Sequence, residues 1–142
     1  MPGLYLIASI ADRLVAIDSD QVDSVVDIGE IVPVPRAPND VRGLAALRSR
    51  VVTVIDTHAA LGLTPTDASL SRAVITLVDG HYYAVLVDAL DDVAPFTCAP
   101  LEAGIAVDGG WARVATGIVD RDGDAVLAVD LQRLIPDPIA AG

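Results

Sequence analysis

Gly43-Leu44-Ala45-Ala46-Leu47-Arg48-Ser49-Arg50-Val51-Val52-Thr53-Val54-Ile55-Asp56 is two apolar runs around a polar turn, and the pattern occurs twice. It returns as Gly117-Ile118-Val119-Asp120-Arg121-Asp122-Gly123-Asp124-Ala125-Val126-Leu127-Ala128-Val129-Asp130, displaced by 74 positions (43 to 117). Two short runs rich in β-branched residues around a tight turn read as a β-hairpin. The register continues until Ala60-Leu61 falls on Leu134-Ile135. Past Asp56 and Asp130 the spacing turns helical, and both aspartates are expected to be N-caps.

Working outward, a second block repeats as well. The segment from Ala16 to Val25 lies over Ala84 to Val93, a displacement of 68 (16 to 84), so the second copy carries six more residues between its blocks than the first. Each copy opens with a hairpin, Leu4 to Ile10 into Leu14 to Ile17 and Ala73 to Val78 into Tyr82 to Val87. The second hairpin turns at Asp79-Gly80, a pair suited to the positive φ that a type I′ turn requires. Short helical or bent stretches are expected at Asp20–Ser24 and Asp88–Asp92, followed by extended segments at Val25–Val34 and Val93–Cys98. Prolines 33, 35, 38, 95 and 100 punctuate these segments and belong at strand ends or on loops. About five short strands per copy suggest a small barrel. The polar stretch Thr64–Ser71 reads as the linker, so a single 1–142 unit with lobes near 4–66 and 67–136 is expected.

Composition narrows the function. The chain has 142 residues, is 53% hydrophobic and only 4% aromatic, and carries a formal charge of −11 with nine arginines and no lysine. That anionic balance disfavours phosphate backbones and acidic membranes. No apolar run reaches the roughly 20 residues of a membrane-spanning helix, and the N-terminus lacks a basic signal-peptide start. Cys98 stands alone, which excludes an internal disulfide and reads as a buried structural thiol in a reducing cytoplasm.

The inventory for catalysis is thin. His58 and His81 are the only histidines; one follows a cap and the other sits in a turn, and neither forms a metal-binding spacing with Cys98. Asp120-Arg121-Asp122-Gly123-Asp124 begins like a calcium loop, but its glycine precedes the third acidic position instead of following it and its twelfth position is Leu131 rather than Glu, so it reads as a solvated hairpin tip. Gly109-Gly110 lacks the context of a phosphate loop. No catalytic residue, cofactor or metal is expected. What does stand out is Arg36, Arg42, Arg48 and Arg50, four cations in a stretch whose only acid is Asp40. The second copy has aspartates at the corresponding tip.

The run Val41 to Asp56 resembles the central motif of CheW-like domains, the coupling proteins of bacterial chemotaxis, roughly G-[VI]-[IL]-N-L-R-G-x-[VI]-[VI]-P-[VI]-[VI]-D-L. The resemblance extends from Leu4 to Ile135, including the closing Asp130-Leu131-Gln132-Arg133-Leu134. Ala46 replaces the family's Asn, Ser49 its Gly, Thr53 its Pro and Thr57 the Leu after the Asp, whereas Arg48 keeps its Arg. The resemblance implies a mainly β fold of two intertwined five-stranded SH3-like β-barrels with short helices. It also implies a cytoplasmic, non-enzymatic adaptor at receptor arrays, linking the chemoreceptor tip to the regulatory domain of a CheA-type histidine kinase. Val22, Val25, Gly43 and Arg48 would face or shape the receptor groove, and Ile31 and Leu101 would meet the kinase. Service in a non-flagellar chemosensory pathway is the alternative, and a small-molecule sensor using the gap between lobes a more distant one.

Overall fold

The computed structural model describes residues 3–64, 71–101 and 109–135, so most of the expected linker lies outside the described residues. Among these, eleven strands form two sheets. The first copy contributes β1 (Gly3–Ile10), β2 (Arg13–Asp18), β3 (Ser24–Asp27), β4 (Val41–Leu47) and β5 (Arg50–Ile55). The second contributes β6 (Arg72–Val78), β7 (His81–Leu86), β8 (Ala89–Phe96), β9 (Cys98–Pro100), β10 (Ala115–Arg121) and β11 (Asp124–Val129). Two short helices, α1 (Thr57–Ala60) and α2 (Gly110–Val114), and two 3-10 turns complete the set. The mainly β fold expected from the sequence is the one observed.

The strand orders are β8-β1-β2-β11-β10-β9 and β3-β6-β7-β5-β4. Replacing each strand by its repeat counterpart (β1 with β6, β2 with β7, β3 with β8, β4 with β10, β5 with β11) converts the second order into the first five strands of the first, to which β9 adds a sixth. The opening hairpin of each copy is therefore built into the other copy's sheet, which is how the two units interlock. The registers agree residue by residue. Val54 lies beside Ala84 in a parallel pair, and its counterpart Ala128 lies beside Ala16. Bulges fall at equivalent places too, between Val41 and Gly43 and between Ala115 and Gly117.

The exchange has a physical cause in the opening hairpins. Leu6, Ala8, Ile10, Val15 and Ile17 point to one face of β1–β2, and Ile7 and Ala16 to the other; all are buried. Strands apolar on both faces belong in the middle of a sheet, and β1, β2, β6 and β7 are all interior strands. Three cores result. One contains only five-stranded-sheet residues with Ile28, among them Val52, Val54, Ile75 and Leu86. Another is Ile7, Ala16, Val119 and Val126 of the six-stranded sheet. The largest joins Leu6, Ile10 and Ile17 of one sheet to Ile55, Val74 and Val85 of the other, with Leu61, Leu131 and Leu134.

Turn chemistry follows the sequence. Ala11 and Asp12 have φ of 52° and 64°, Asp79 and Gly80 50° and 81°, and Asp122 and Gly123 53° and 92°. Positive φ at both central positions matches the strand twist of a two-residue hairpin. Asp56 accepts a hydrogen bond from Ala59 N and Asp130 one from Gln132 N, so both cap as expected.

One expectation fails at Asp88–Asp92. Only the first copy forms a helical turn there, Ser19–Gln21, whereas β8 begins at Ala89 and absorbs the extra residue as a bulge against β1. Asp18 caps the first-copy turn by accepting from Asp20 N, and the position 68 further on is Leu86, which has no acceptor to offer. Pro95 lies inside β8, which is an edge strand and so needs no donor on its outer side. Cys98 is half-buried on edge strand β9 rather than enclosed.

Candidate partner-binding surface

The registers of the five-stranded sheet define its outward face row by row. Val25, Val74, Val85, Ile55 and Val41 lie side by side across it. The centre of this row is sealed in the core between the sheets. The next row is Thr76, Tyr83, Thr53, Leu44 and Val32, the last through an isolated bridge to Leu44. Beyond it Ala46 pairs with Val51. Burial falls away along this direction, and Leu44, Val32 and Val51 reach 36%, 58% and 63% exposure. The β4–β5 end of the sheet therefore presents an apolar strip to solvent.

Arginines border that strip in different ways. Arg42 turns inward, where its Nη2 donates to Asp56 Oδ2 at 3.0 Å; Asp56 is only 3% exposed. Arg50 lies over the Tyr82 ring, 3.9 Å from the centroid. Arg48 is exposed at the tip with a φ of 59°, and Arg36 is exposed with a φ of 64°. Charge in the stretch 36–50 is thus divided between a structural pair and outward cations.

The sequence-chosen residues are not gathered at one point. Val25 is at the outer strand β3, across the sheet from Arg48. Val22 packs, half-buried, against the core between the sheets. Gly43 faces the inner side with Ala45: a Cβ there would stand 2.3 Å from the Val32 carbonyl oxygen and 2.9 Å from Ile31 Cγ2, at a φ of 152°. It is a strand-bulge glycine rather than a turn glycine, and the backbone that approaches it is the chain's own. Gly117 does the same, with Ala99 O at 2.5 Å and Cys98 Sγ at 2.6 Å.

That match exposes a third repeat block, Ile31-Val32-Pro33 over Cys98-Ala99-Pro100, displaced by 67 (31 to 98). Ile31 is thus the counterpart of Cys98, and Leu101 that of Val34. Sequence comparison missed it because the register slips by one position and only proline is shared. The exposed strip of Val32, Leu44 and Val51 was also missed, since alternation cannot tell which face of a hairpin stays uncovered.

Elsewhere little converges. His58 Nε2 lies 2.9 Å from Asp88 Oδ1, tying α1 to the end of β7 rather than standing free on the surface. Thr57, where the family pattern has Leu, is fully buried and donates through Oγ1 to Leu86 O at 2.7 Å. A polar cleft of about 150 Å³ is lined by Tyr5, Asp18, Gln21, Cys98, Thr116 and Asp130. It is small beside the roughly 300 Å³ or more of ordinary ligand pockets. Among the described residues no three His, Cys, Asp or Glu side chains group as metal ligands, and no helix is long and apolar enough to cross a membrane.

Known proteins share this arrangement. A profile of the CheW-like domain matches residues 4–138. The chain is similar to the chemotaxis protein CheW of Thermotoga maritima, at 23% identity over 128 residues covering 90% of this chain and 84% of that protein. It is also similar to the chemotaxis protein CheW of Rhizobium meliloti, at 26% identity over 106 residues covering 73% and 68%. Among solved structures, the scaffolding protein TtCheW of Thermoanaerobacter tengcongensis superposes with a TM-score of 0.82 at 25% identity, covering 96% of this chain and 94% of that one.

Proposed function

Because the chain belongs to the CheW-like domain family, we propose that it is a non-enzymatic adaptor coupling chemoreceptors, the methyl-accepting chemotaxis proteins, to a CheA-type histidine kinase. The observation that carries this reading is the exposed strip of Val32, Leu44 and Val51 beside the outward cation Arg48. A helical receptor tip laid on such a strip gains affinity from buried apolar area, and charges at the rim set its register. Val25, on the opposite edge strand β3, and Val22, half-buried against the core between the sheets, would meet the receptor apart from this strip. Gly43 shapes it by letting the Val32 segment close against β4.

The kinase regulatory domain takes the strand-end residues Ile31 and Leu101, one at each sheet. Residues 1–142 work as one unit with lobes 4–66 and 67–136, in the cytoplasm at the periphery of receptor arrays, without cofactor, metal, nucleic acid or membrane insertion. A non-flagellar chemosensory pathway would use the same surfaces.

Reconstitution with receptor and kinase tests the reading. Wild-type protein should co-elute with the cognate kinase regulatory domain and restore receptor-dependent kinase activation. Arg48→Asp should lower that activation severalfold without lowering its melting temperature. Normal activation by the variant removes Arg48 from the site, and absent co-elution with a verified cognate kinase overturns the adaptor reading.

A further inference from the structure

Asp56 and Asp130 end equivalent hairpins, but a different residue stands opposite each of them. Arg42, at the β4 bulge, sends its guanidinium to Asp56 Oδ2 at 3.0 Å. The same place at the β10 bulge, 74 positions on (42 to 116), holds Thr116. Here the polar cleft of about 150 Å³ opens, lined by Thr116 and Asp130 with Tyr5, Asp18, Gln21 and Cys98. The repeat puts Ala73, Leu86 and Ile31 opposite Tyr5, Asp18 and Cys98 (5 to 73, 18 to 86, 31 to 98). Those three pack in or against the core of the five-stranded sheet. One version of the site is therefore apolar and closed by its own arginine, and the other is polar and open.

The polar groups of the open version are arranged as acceptors. Asp130 Oδ1 takes the Gln132 amide and Gln21 Nε2, whose own Oε1 accepts from Leu131 N. Asp130 Oδ2, the counterpart of the oxygen that receives Arg42, lies a long 3.7 Å from Arg133 Nε. Asp18 accepts from Asp20 N through Oδ1. Thr116 Oγ1 donates to Ala128 O at 3.3 Å, which leaves its lone pairs to accept. Burial, then Cys98 and Asp18, raise the Tyr5 phenol above its ordinary 10.0, so it is neutral at physiological pH.

We propose that this cleft binds a small guanidinium cation, the group that Arg42 supplies from within at the equivalent site. A guanidinium is a planar fork of donors that matches carboxylates, and a net charge of −11 draws cations from solution. The volume suits one such group and not a drug-sized ligand. Asp18 is exposed and Asp130 partly so, which keeps the affinity modest. The proposal goes beyond the adaptor reading and does not need it, since the cleft lies on the six-stranded sheet and the Leu44 strip on the other.

Amide NMR of the full chain, titrated with methylguanidinium, methylammonium and urea, provides the test. Methylguanidinium should shift the Gln21, Thr116 and Leu131 amides saturably, with half-saturation at about 10 mM or below. Methylammonium, charged but without the fork, should bind more weakly, and urea, planar but neutral, should not saturate. N-acetylarginine amide separates the two sources of the group: equal affinity marks a site open to arginine side chains, and tenfold weaker affinity one for the free cation. Asp130→Asn retains a capping side chain and should weaken binding about tenfold or more. Thr116→Arg, which gives this site the arginine of its counterpart, should abolish binding. Circular dichroism melts would establish that each variant folds, with Asp18→Asn as a second carboxylate variant. A wild type without saturable shifts overturns the proposal. So does urea or methylammonium binding as tightly as methylguanidinium, or a folded Asp130→Asn or Thr116→Arg that binds like wild type.

Discussion

Asp56 and Asp130 occupy the same place in the two copies and cap the same kind of turn, but their surroundings differ. Asp56 is buried and receives the Arg42 guanidinium as well as the Ala59 amide. Asp130 is partly open, and its Oδ1 accepts from Gln132 N and Gln21 Nε2. Removing one member of a buried charge pair costs more than removing a cap alone. Asp56→Ala should therefore cost about 3 kcal/mol or more, and Asp130→Ala about 1 kcal/mol, measured by urea unfolding. Tyr5 gives a second residue-scale expectation. Burial holds its phenol above the ordinary value of 10.0, and neighbouring Cys98 and Asp18 push the same way. The folded state thus favours the neutral phenol, and the unfolded chain ionises first. Stability from this source is whole below pH 10 and is lost as the pH rises through the folded-state value. Tyr5→Phe should flatten the alkaline fall in melting temperature, and an unchanged alkaline profile would remove Tyr5 as its cause.

At the scale of elements, the hairpin tips show a local rule set against its exceptions. Asp79-Gly80 and Asp122-Gly123 place glycine where the turn needs positive φ. Arg48 holds a φ of 59° without being glycine or asparagine, a strained state for a long side chain. Such strain fits a residue kept for contact rather than for folding. Arg48→Gly should raise stability by up to about 1 kcal/mol, since relief of the left-handed conformation outweighs glycine's added chain entropy. The same change should weaken partner binding, a divergence readable by comparing melts with activation assays. Local signals predicted these hairpins and both aspartate caps well. They failed at Asp88–Asp92, where the repeat suggested a turn but Leu86 in place of Asp18 removed its cap and the segment joined the edge of a sheet. The outward strip was illegible for another reason: whether Leu44 and Val51 are covered depends on what packs beyond their own hairpin.

For the whole molecule, strand exchange makes each half dependent on the other. The β1–β2 hairpin has its sheet neighbours β8 and β11 in the second copy, and β6–β7 has β3 and β5 in the first. A chain ending near residue 66 would leave β1–β2 without either sheet neighbour and without the Val119 and Val126 that cover its Ile7 and Ala16 face. Expressed separately, segments 1–66 and 67–142 should lack native β-structure by circular dichroism and regain it when mixed. A cooperative, native-like melt from either segment alone would contradict the dependence.

The sequence by itself determined the mainly β class, the two copies, the hairpins and their turns, and the thin inventory for chemistry. All of these rest on local period and turn stereochemistry, which a linear pattern records directly. Only the tertiary structure decided that the opening hairpins change places, that Gly43 admits the chain's own Val32 segment, and that Arg42 turns inward while Arg48 turns out. Those outcomes depend on which apolar face finds cover from a strand far away in the chain. Hydrophobic burial is non-directional, so pattern specifies that a face must be covered and packing alone specifies by what.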